Sequence, residues 1–223
     1  MKKRSKRYRE NLKLADRSKT YEIPEAISVL KVIKESKFDE TVELAFHLLA
    51  SKKDEVVRGL INLPYGTGKK VRILALTSGE KAKEAKDAGA DFVGFEELLE
   101  KIKKGWSDFD VVITTPDSMK EISKVGRYLG PKGLMPTPKA GTVTNEIGKK
   151  VEEVKKGQIQ FRMDKGNNVH LPVGKISFKE EELSENIKVA ITAVRNSIVG
   201  GGDRQIESLS LSSTMAPSLK IKL

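Results

Sequence analysis

The strongest constraint on the fold is a change of hydrophobic pattern within the chain. Between Val71 and Leu129, short apolar runs typical of strands at 71–76, 91–93 and 111–114 alternate with helix-patterned segments at 80–88, 96–103 and 118–129. Strands that alternate with helices are typical of a parallel sheet with right-handed crossovers. We therefore predict a small, Rossmann-like α/β domain over residues 67–157, closed by a further helix at about 144–156.

The segments on either side of this region show a different pattern. Apolar and polar residues alternate in strand fashion at 38–48, 55–63 and 204–214, whereas helical spacing occurs at 23–35 and 183–198. Two further short strands, at 158–163 and 169–171, bracket the turn 164–168 and predict a hairpin. A last short strand is predicted at the C-terminal end. We therefore predict an α+β domain built from residues 1–66 and 158–223, with the α/β domain inserted and two chain crossings forming a hinge.

The positive charge is concentrated at the N-terminal end. Lys and Arg number 42 against 31 Asp and Glu, and residues 1–20 alone contribute +7 of the net charge of +11. A basic arm of this kind is typical of proteins that bind polyanions, most often nucleic acid, although it also occurs as a solubilising tail.

Several classes of protein are excluded by composition. The chain contains no cysteine, which excludes disulfides, thiolate nucleophiles and sulfur-ligated metals. No apolar run approaches the roughly 18 residues needed to span a bilayer, and none follows the basic start as in a secretory signal. We expect a cytoplasmic protein with no membrane partner.

Neither a cofactor nor a catalytic site is expected. The turn after the first α/β strand, Thr77-Ser78-Gly79, has a single glycine, which is too few for a dinucleotide fingerprint. The histidines His47 and His170 have no carboxylate at a metal-ligand offset, which predicts no metal site. No nucleophile is paired with a base, so we predict a binding protein and not an enzyme. Two rivals stay open: an enzyme with a nucleotide site in the α/β domain, and a general RNA chaperone that acts through its basic arm.

The low aromatic content favours structured RNA over single strands. Aromatic residues make up 5% of the chain, and those at strand positions are expected in the core: Phe46, Phe92, Phe109 and Phe161. Folded RNA is recognised through shape, phosphates and 2′-hydroxyl groups, which suits Lys, Arg, Ser and Thr side chains. A C-terminal run supplies such groups: Ser208, Ser210, Ser212, Ser213 and Thr214. It is equally compatible with a plain edge strand whose polar face meets water.

Five segments distributed over nearly the whole chain carry a family resemblance: KRYRE with DRSKTY, KFDETVEL at 37–44, GPKGLMPTPKAGTV at 130–143, FRMDKGNNVHLPVGK at 161–175 and SSTMAPS at 212–218. Together they resemble the L1 family of large-subunit ribosomal proteins in its bacterial form. The resemblance implies an RNA-binding domain with a mobile inserted domain, in a protein that is monomeric when free of the ribosome. It also implies binding to large-subunit rRNA, a mobile stalk beside the exit-site tRNA that assists release of deacylated tRNA, and repression through the protein's own operon mRNA.

The resemblance further implies the residues that contact RNA. They belong to the FDET strand and the STM segment: Lys37, Phe38, Thr41, Glu43, Ser213, Thr214 and Met215. Lys165 and His170 of the DKGNNVH segment are added. Phe38 and Met215 would lie against sugars and base edges, the hydroxyl groups would bond 2′-hydroxyls, and Lys37 would meet phosphate. The alternative is that Phe38 and Met215 cap the core.

Two positions depart from the family pattern. Ala216 stands where the family usually has glycine, and because it precedes Pro217 its backbone is expected to be extended, which alanine adopts freely. If the glycine instead used a positive φ or admitted RNA closely, affinity would fall. Tyr65 stands where a histidine is expected, in the joint between the two predicted domains.

Overall fold

The computed structural model describes residues 5–16, 18–33, 36–49, 57–198 and 206–222. It confirms the mixed α and β fold class. The helices are α1 (Lys6–Leu14), α2 (Ile23–Val32), α3 (Glu80–Asp87), α4 (Glu96–Lys103), α5 (Met119–Ile122), α6 (Gly126–Leu129), α7 (Ile147–Lys155) and α8 (Glu180–Ser197). The strands are β1 (Thr20–Tyr21), β2 (Thr41–Leu48), β3 (Arg58–Asn62), β4 (Ile73–Leu76), β5 (Phe92–Gly94), β6 (Val111–Thr114), β7 (Gln158–Arg162), β8 (Asn168–Lys175), β9 (Ile206–Ser213) and β10 (Leu219–Ile221).

The chain divides into two compact units. Unit 1 comprises Met1–Gly68 and Ile159–Leu223, and unit 2 comprises Lys69–Gln158. Unit 1 contains a five-stranded sheet of order β1-β10-β9-β2-β8 and a separate pair, β3 with β7. Unit 2 contains a three-stranded sheet of order β5-β4-β6.

The five-stranded sheet of unit 1 has one buried and one open face. Along β2 the side chains of Val42, Leu44, Phe46 and Leu48 are buried, as their alternation predicts. They join one core with apolar residues of α2 and α8, among them Ile27, Leu30, Leu183, Ile187 and Ala190. The intervening residues of β2 are exposed or half-buried, so the second face of the sheet carries the polar side chains.

The sheet of unit 2 is parallel and has buried residues on both faces. β4 is buried at all four positions and pairs in parallel with β5 on one side and β6 on the other. One face packs on α4, through Leu98, Leu99 and Ile102, and the other on α3 and α7, through Ala85, Ile147 and Val151. This is the layering expected of alternating strands and helices.

Two local predictions are wrong, and one alternative that the sequence left open is excluded. The strands on either side of the 164–168 turn do not form a hairpin, because β7 pairs with β3 and β8 with β2. The segment 118–129 is not one helix: a 3₁₀ turn at Ser123–Val125 separates α5 from α6, where the Ser123 hydroxyl bonds the Met119 carbonyl at 2.8 Å. β9 is not an edge strand, since it lies between β10 and β2.

The N-terminal segment is partly built into unit 1. Ser5 caps α1 through its hydroxyl, which accepts the Tyr8 N–H at 3.2 Å. Asn11 and Ala15 are buried at 3% and 1% exposure, and Ala15 joins the core of unit 1. The basic side chains Lys6, Arg9 and Lys13 remain exposed. Residues 1–4 and 17 of the predicted basic arm lie outside the described residues, as do residues 34–35, 55–56 and 204–205 of the predicted helix and strands.

The chain segment at residues 65–66, near the end of the first part of unit 1, is held by a buried amide. Asn186 of α8 is fully buried, and its side chain accepts the Tyr65 N–H at 3.2 Å. Its amide donates to the carbonyls of Gly66 at 3.0 Å and Val173 at 2.8 Å. The Tyr65 ring is 46% exposed, and a hydrogen bond with Glu185 is the main cause that raises the pKa of its hydroxyl. The tyrosine at this position is therefore anchored through its backbone.

Candidate nucleic-acid interface

The start of β2 and the end of β9 are fastened together by their own backbone and by side chains. Val42 pairs with Ser213 in the antiparallel ladder. Beyond this pair, the Thr214 N–H donates to the Thr41 carbonyl at 3.2 Å, and the Thr41 N–H donates to Thr214 Oγ1 at 3.1 Å. We refer to residues 36–41 and 213–216 together as the clamp, since the FDET and STM segments lie side by side in it.

A buried carboxylate closes the clamp. Glu40 is 3% exposed, and its Oε2 accepts hydrogen bonds from the Ser213 hydroxyl and from the Met215 N–H, the latter at 3.1 Å. Ser213 is itself 7% exposed. The structure therefore assigns the Ser213 hydroxyl to Glu40, and its predicted contact with RNA stays a prediction.

Glu40 is held ionised by its surroundings. Burial raises the pKa of Glu40, but other contacts lower it by more, so its pKa lies below the ordinary 4.5. These contacts are, in order, the hydroxyl groups of Ser213 and Ser36, the Met215 N–H and the positive charge of Arg7. The clamp thus contains a buried carboxylate whose charge is compensated by hydrogen-bond donors at Ser36, Ser213 and Met215 and by the positive charge of Arg7 in α1.

This arrangement predicts a specific acid sensitivity. Because the folded-state pKa of Glu40 is depressed, its contribution to stability is fully present above pH 4.5 and is lost as the pH falls through the folded-state value. As the pH falls, we expect the free energy of unfolding, measured with urea, to decrease more steeply for the native chain than for Glu40→Gln. The variant has no titrating group at this position. Identical pH profiles for the two proteins between pH 6 and 3 would contradict the assigned charge.

A second set of contacts ties the clamp to the end of β8. Lys175 Nζ donates to Thr41 Oγ1 at 2.8 Å and to the Asp39 carbonyl at 3.4 Å. The Asp39 carboxylate accepts the Ser177 hydroxyl at 2.7 Å and the Ser177 N–H at 3.2 Å. Both ends of the FDET segment are therefore fixed by hydrogen bonds.

The two apolar side chains of the clamp project from the core. Phe38 is 53% exposed and Met215 is 45% exposed, so the alternative that they cap the core is wrong. Exposed apolar groups on an ordered polar surface are typical of binding sites. Lys37 is also exposed beside Phe38.

The clamp continues into the open face of the five-stranded sheet. Glu43 lies between Ser212 of β9 and Pro172 of β8, and it is exposed. Two residues along, Ala45 lies between Ser210 and His170, and His170 is exposed. At about 3.3 Å per residue, His170 lies roughly 13 Å along the sheet from Thr41. Lys165 is exposed in the turn that precedes β8.

The predicted site residues therefore form one cluster and two outliers. Seven residues lie in or beside the clamp: Lys37, Phe38, Thr41, Glu43, Ser213, Thr214 and Met215. His170 shares the open face, and Lys165 belongs to a turn in which the Asp164 carboxylate accepts the N–H groups of Gly166 and Asn168 at 2.8 and 2.7 Å. Within the described residues, no three His, Asp or Glu side chains are grouped as a metal site.

His47 lies on the open face near the end of β2, at the opposite end from the clamp. His47 Nδ1 lies 2.8 Å from Asn168 Oδ1, and its Nε2 lies 3.2 Å from Glu207 Oε2. His47 therefore has a polar group near each ring nitrogen, and His170 is exposed on the same face.

The alanine that replaces the family glycine is accommodated without strain. Among the described residues, Asn167 is the one non-glycine residue with positive φ, so Ala216 has an ordinary backbone. The Ala216 N–H donates to the Ser213 carbonyl at 3.2 Å, which turns the chain toward the buried Pro217. Alanine therefore fits the backbone of this segment, and its effect on RNA affinity stays a prediction.

Three residues that organise the interface were not among the predicted site residues. Glu40 and Lys175 hold the clamp through hydrogen bonds, and Arg7 places a positive charge near Glu40. No sequence motif indicated these three roles. The sequence did indicate that Glu40 is buried. It continues the series of alternate positions whose other members, Val42, Leu44 and Phe46, face the core. A carboxylate on the core side of a strand needs donors, and these come from β9.

The comparison with known proteins identifies the family. The family model of the ribosomal protein L1p/L10e family matches residues 29–217. The chain belongs to the ribosomal protein L1 family. Proteins named large ribosomal subunit protein uL1 are similar over 99% of this chain and 97% of their own length: 50% identical in Kosmotoga olearia, 52% in Thermosipho melanesiensis and 51% in Thermosipho africanus.

Membership of the L1 family confirms the resemblance and the prediction that the protein is not an enzyme, because this family consists of structural ribosomal proteins. It therefore removes the rival of a nucleotide-dependent enzyme. Among the described residues, no helix has the length and apolar character needed to cross a membrane.

Proposed function

We propose that this protein is a structural component of the large ribosomal subunit in the cytoplasm and that it grips a folded element of large-subunit rRNA through the clamp and the adjoining open face. Membership of the L1 family supports the ribosomal role. The observation that carries the choice of surface is the pair of exposed apolar side chains, Phe38 and Met215, on a segment fixed by buried hydrogen bonds.

Each group of the clamp has a role in this proposal. Phe38 and Met215 lie against sugars and base edges, where flat or flexible apolar groups exclude water. Thr41 and Thr214 supply hydroxyl oxygens for 2′-hydroxyl groups, and Glu43 accepts hydrogen bonds from base or sugar donors. Lys37 meets a phosphate, and His170 and Lys165 extend the contact along the sheet.

Preorganisation is the physical advantage of this arrangement. A surface loop that becomes ordered only on binding loses affinity through the entropy of ordering. Here Glu40, Lys175 and Asp39 already hold the FDET and STM segments in register. The rRNA element therefore meets a surface whose donors and acceptors are already positioned.

We propose three further roles on the basis of the family. Unit 2 is the moving arm of a stalk beside the exit-site tRNA, and it assists release of deacylated tRNA. The clamp also binds a similar folded element in the protein's own operon mRNA, which represses translation. The protein is a monomer when free of the ribosome.

The rival of a general RNA chaperone acting through the basic arm has a direct test. Replacing Lys6, Arg9 and Lys13 by Gln removes three exposed charges of α1 without touching the buried Asn11 and Ala15. We expect a modest loss of rRNA affinity and a salt slope smaller by at most about 2 to 3, since each phosphate contact contributes roughly 0.7 to 0.9.

Filter binding of the rRNA fragment from 50 to 500 mM KCl measures both quantities. Replacing Lys83, Lys86 and Lys101 of unit 2 by Gln provides a variant with the same charge change elsewhere. Complete loss of rRNA binding in the α1 variant alone would favour the chaperone.

A further inference from the structure

The ammonium group of Lys175 lies beside the clamp without a carboxylate partner. Its Nζ donates to Thr41 Oγ1 at 2.8 Å and to the Asp39 carbonyl at 3.4 Å, and both acceptors are uncharged. The Asp39 carboxylate is bonded to the hydroxyl and N–H of Ser177 instead. Among the described residues, Lys175 therefore forms no ion pair. An unpaired positive charge next to a proposed RNA surface is available to a phosphate.

The side chain of Lys175 is fixed along its length. Lys175 is half-buried and pairs with Thr41 in the ladder between β8 and β2. Its stem runs close to Gly68, where an added Cβ would lie 2.8 Å from Lys175 Cγ. Gly68 has a φ of +71°, which glycine adopts freely. The ammonium group is therefore held beside Thr41 in the free protein, so little conformational entropy is lost when a ligand binds it.

The hydrogen bond from Lys175 determines how the Thr41 hydroxyl can act. An ammonium group only donates, so Thr41 Oγ1 is the acceptor of this bond and its own hydrogen is left to donate. Within the part of the chain that the structure describes, this hydrogen has no acceptor. Thr214 differs, because its Oγ1 accepts the Thr41 N–H at 3.1 Å and donates to the Thr41 carbonyl at 3.4 Å. Thr41 therefore retains a hydrogen-bond donor for RNA, whereas Thr214 retains only a lone pair.

These two groups match two neighbouring groups of one ribonucleotide. In RNA the 2′-hydroxyl and the 3′-phosphate are attached to adjacent carbon atoms of the same ribose. A 2′-oxygen accepts a hydrogen bond from a hydroxyl group, and a phosphate attracts an ammonium group. Thr41 Oγ1 and Lys175 Nζ are 2.8 Å apart, so they offer these two partners side by side. Because DNA lacks the 2′-oxygen, such a pair distinguishes RNA from DNA.

We propose that Thr41 and Lys175 together bind one ribonucleotide of the rRNA element, with its 2′-oxygen on the Thr41 hydroxyl and its 3′-phosphate on the Lys175 ammonium group. This assignment rests on the proposed function of the clamp, and it adds Lys175 to the residues that were predicted to contact RNA. The charge of Lys175 is used in binding, and not only its hydrogen bond to Thr41. Its replacement therefore has a different effect from that of a residue which only positions Thr41.

The first test compares the salt dependence of rRNA binding in variants of Lys175. Filter binding of the full chain to the rRNA fragment carrying the stalk site is measured from about 50 to 500 mM KCl. Lys175→Gln keeps the Cγ atom beside Gly68 but has no charge. It is expected to raise the Kd about tenfold at low salt and to reduce the salt slope by roughly 0.7 to 0.9, the contribution of one phosphate contact. Lys175→Arg keeps the charge and should keep the slope.

Lys188→Gln is the matched control for Lys175→Gln. Lys188 is exposed on α8, which packs against the buried face of the five-stranded sheet, on the side away from the open face. The two variants lose the same charge, but Lys188→Gln should bind the rRNA fragment with the affinity and the salt slope of the native chain.

The second test locates the ribonucleotide on the RNA. The native chain is bound to rRNA fragments with single 2′-deoxy substitutions and to fragments ethylated at single phosphates, which removes one negative charge. We expect one nucleotide at which the loss of the 2′-hydroxyl and the ethylation of the 3′-phosphate each weaken binding about fivefold or more. Thr41→Val, which has no hydroxyl group, should lose the sensitivity to the 2′-deoxy change at this nucleotide. Lys175→Gln should lose the sensitivity to the ethylation.

Three results would overturn this assignment and leave the proposed function intact. They are an unchanged salt slope in Lys175→Gln, the absence of any nucleotide sensitive to both changes, and a Thr41→Val variant as sensitive as the native chain to every 2′-deoxy change. The mapping on the native chain needs no variant, so it decides the matter even if a substitution disturbs the fold. Equal binding of the native chain to the rRNA fragment and to a scrambled RNA of the same length would overturn the proposed function itself, and this assignment with it.

Discussion

Replacing Glu40 by alanine is expected to lower both the free energy of unfolding of unit 1 and the affinity for rRNA. The change removes the acceptor of the Ser213 hydroxyl and of the Met215 N–H, and both donors lie in or beside a buried region. Hydrogen bonds to a charged group contribute about 1.5 to 3 kcal/mol, so a loss of roughly 2 to 4 kcal/mol in stability is expected. Rotation of the STM segment away from β2 would remove Thr214 and Met215 from the RNA surface.

A double-mutant cycle separates the clamp from a general loss of stability. Glu40→Ala removes the acceptor and Ser213→Ala removes the donor, so either single change breaks the hydrogen bond between the two side chains. If the two side chains act together, the double variant should be more stable than the sum of the single losses implies, with a coupling of about 1 kcal/mol or more. Urea unfolding gives the stability, and filter binding of an rRNA fragment carrying the stalk site gives the affinity. Strict additivity, or native rRNA affinity of a folded Glu40→Ala, would contradict the role of Glu40 in the interface.

The second prediction concerns Phe38, whose ring is expected to contact RNA and to contribute little to the fold. With 53% of the residue exposed, Phe38→Ala should change the free energy of unfolding by less than about 1 kcal/mol. Contacts between aromatic rings and nucleotides are worth roughly 1 to 3 kcal/mol on replacement by alanine, so the Kd for rRNA should rise about fivefold to 150-fold. Met215→Ala should act in the same direction with a smaller effect.

Leu49 provides the matched control for Phe38. It lies just beyond the opposite end of β2 and has nearly the same exposure, 52%. Leu49→Ala removes a similar apolar group far from the clamp, and it should leave the affinity within about twofold of the native value. Equal effects of Phe38→Ala and Leu49→Ala would show that exposed apolar area in general, and not the clamp, supports binding.

The sequence pattern predicted most of what depends on local periodicity. Alternation placed Val42, Leu44, Phe46 and Leu48 on the buried face of β2, and strand-helix alternation predicted the parallel strands of unit 2. Core positions were predicted correctly for Phe46, Phe109 and Phe161, which are buried, and Phe92 packs partly exposed with its ring 4.9 Å from Trp106.

The errors in strand pairing arise where a strand pairs with one that is distant in sequence. The 164–168 turn has the residues of a hairpin turn, but β7 pairs with β3 and β8 pairs with β2. Each of these partners lies more than 90 residues away in sequence. Local turn chemistry carries no information about such pairings. The polar residues of β9 were also compatible with an edge strand. In the structure β9 lies between β10 and β2, and Ser208, Ser210 and Ser212 are on the open face of the sheet.

The candidate site was predicted as a set of residues but not as an arrangement. The family motifs indicated Thr41, Thr214 and Met215, yet they did not distinguish residues on the accessible surface from Ser213, whose hydroxyl is buried against Glu40. That distinction depends on the register between β2 and β9, which sequence alone did not supply.

Equilibrium binding across a salt series tests the central claim most directly. The full chain is titrated with an rRNA fragment carrying the stalk site and with a scrambled RNA of equal length. We expect the specific fragment to bind at least about a thousandfold more tightly, with a preference that persists at high salt where phosphate contacts weaken. If both RNAs bind alike and both lose affinity together as salt rises, the clamp is not the binding surface and the basic N-terminal segment alone holds RNA.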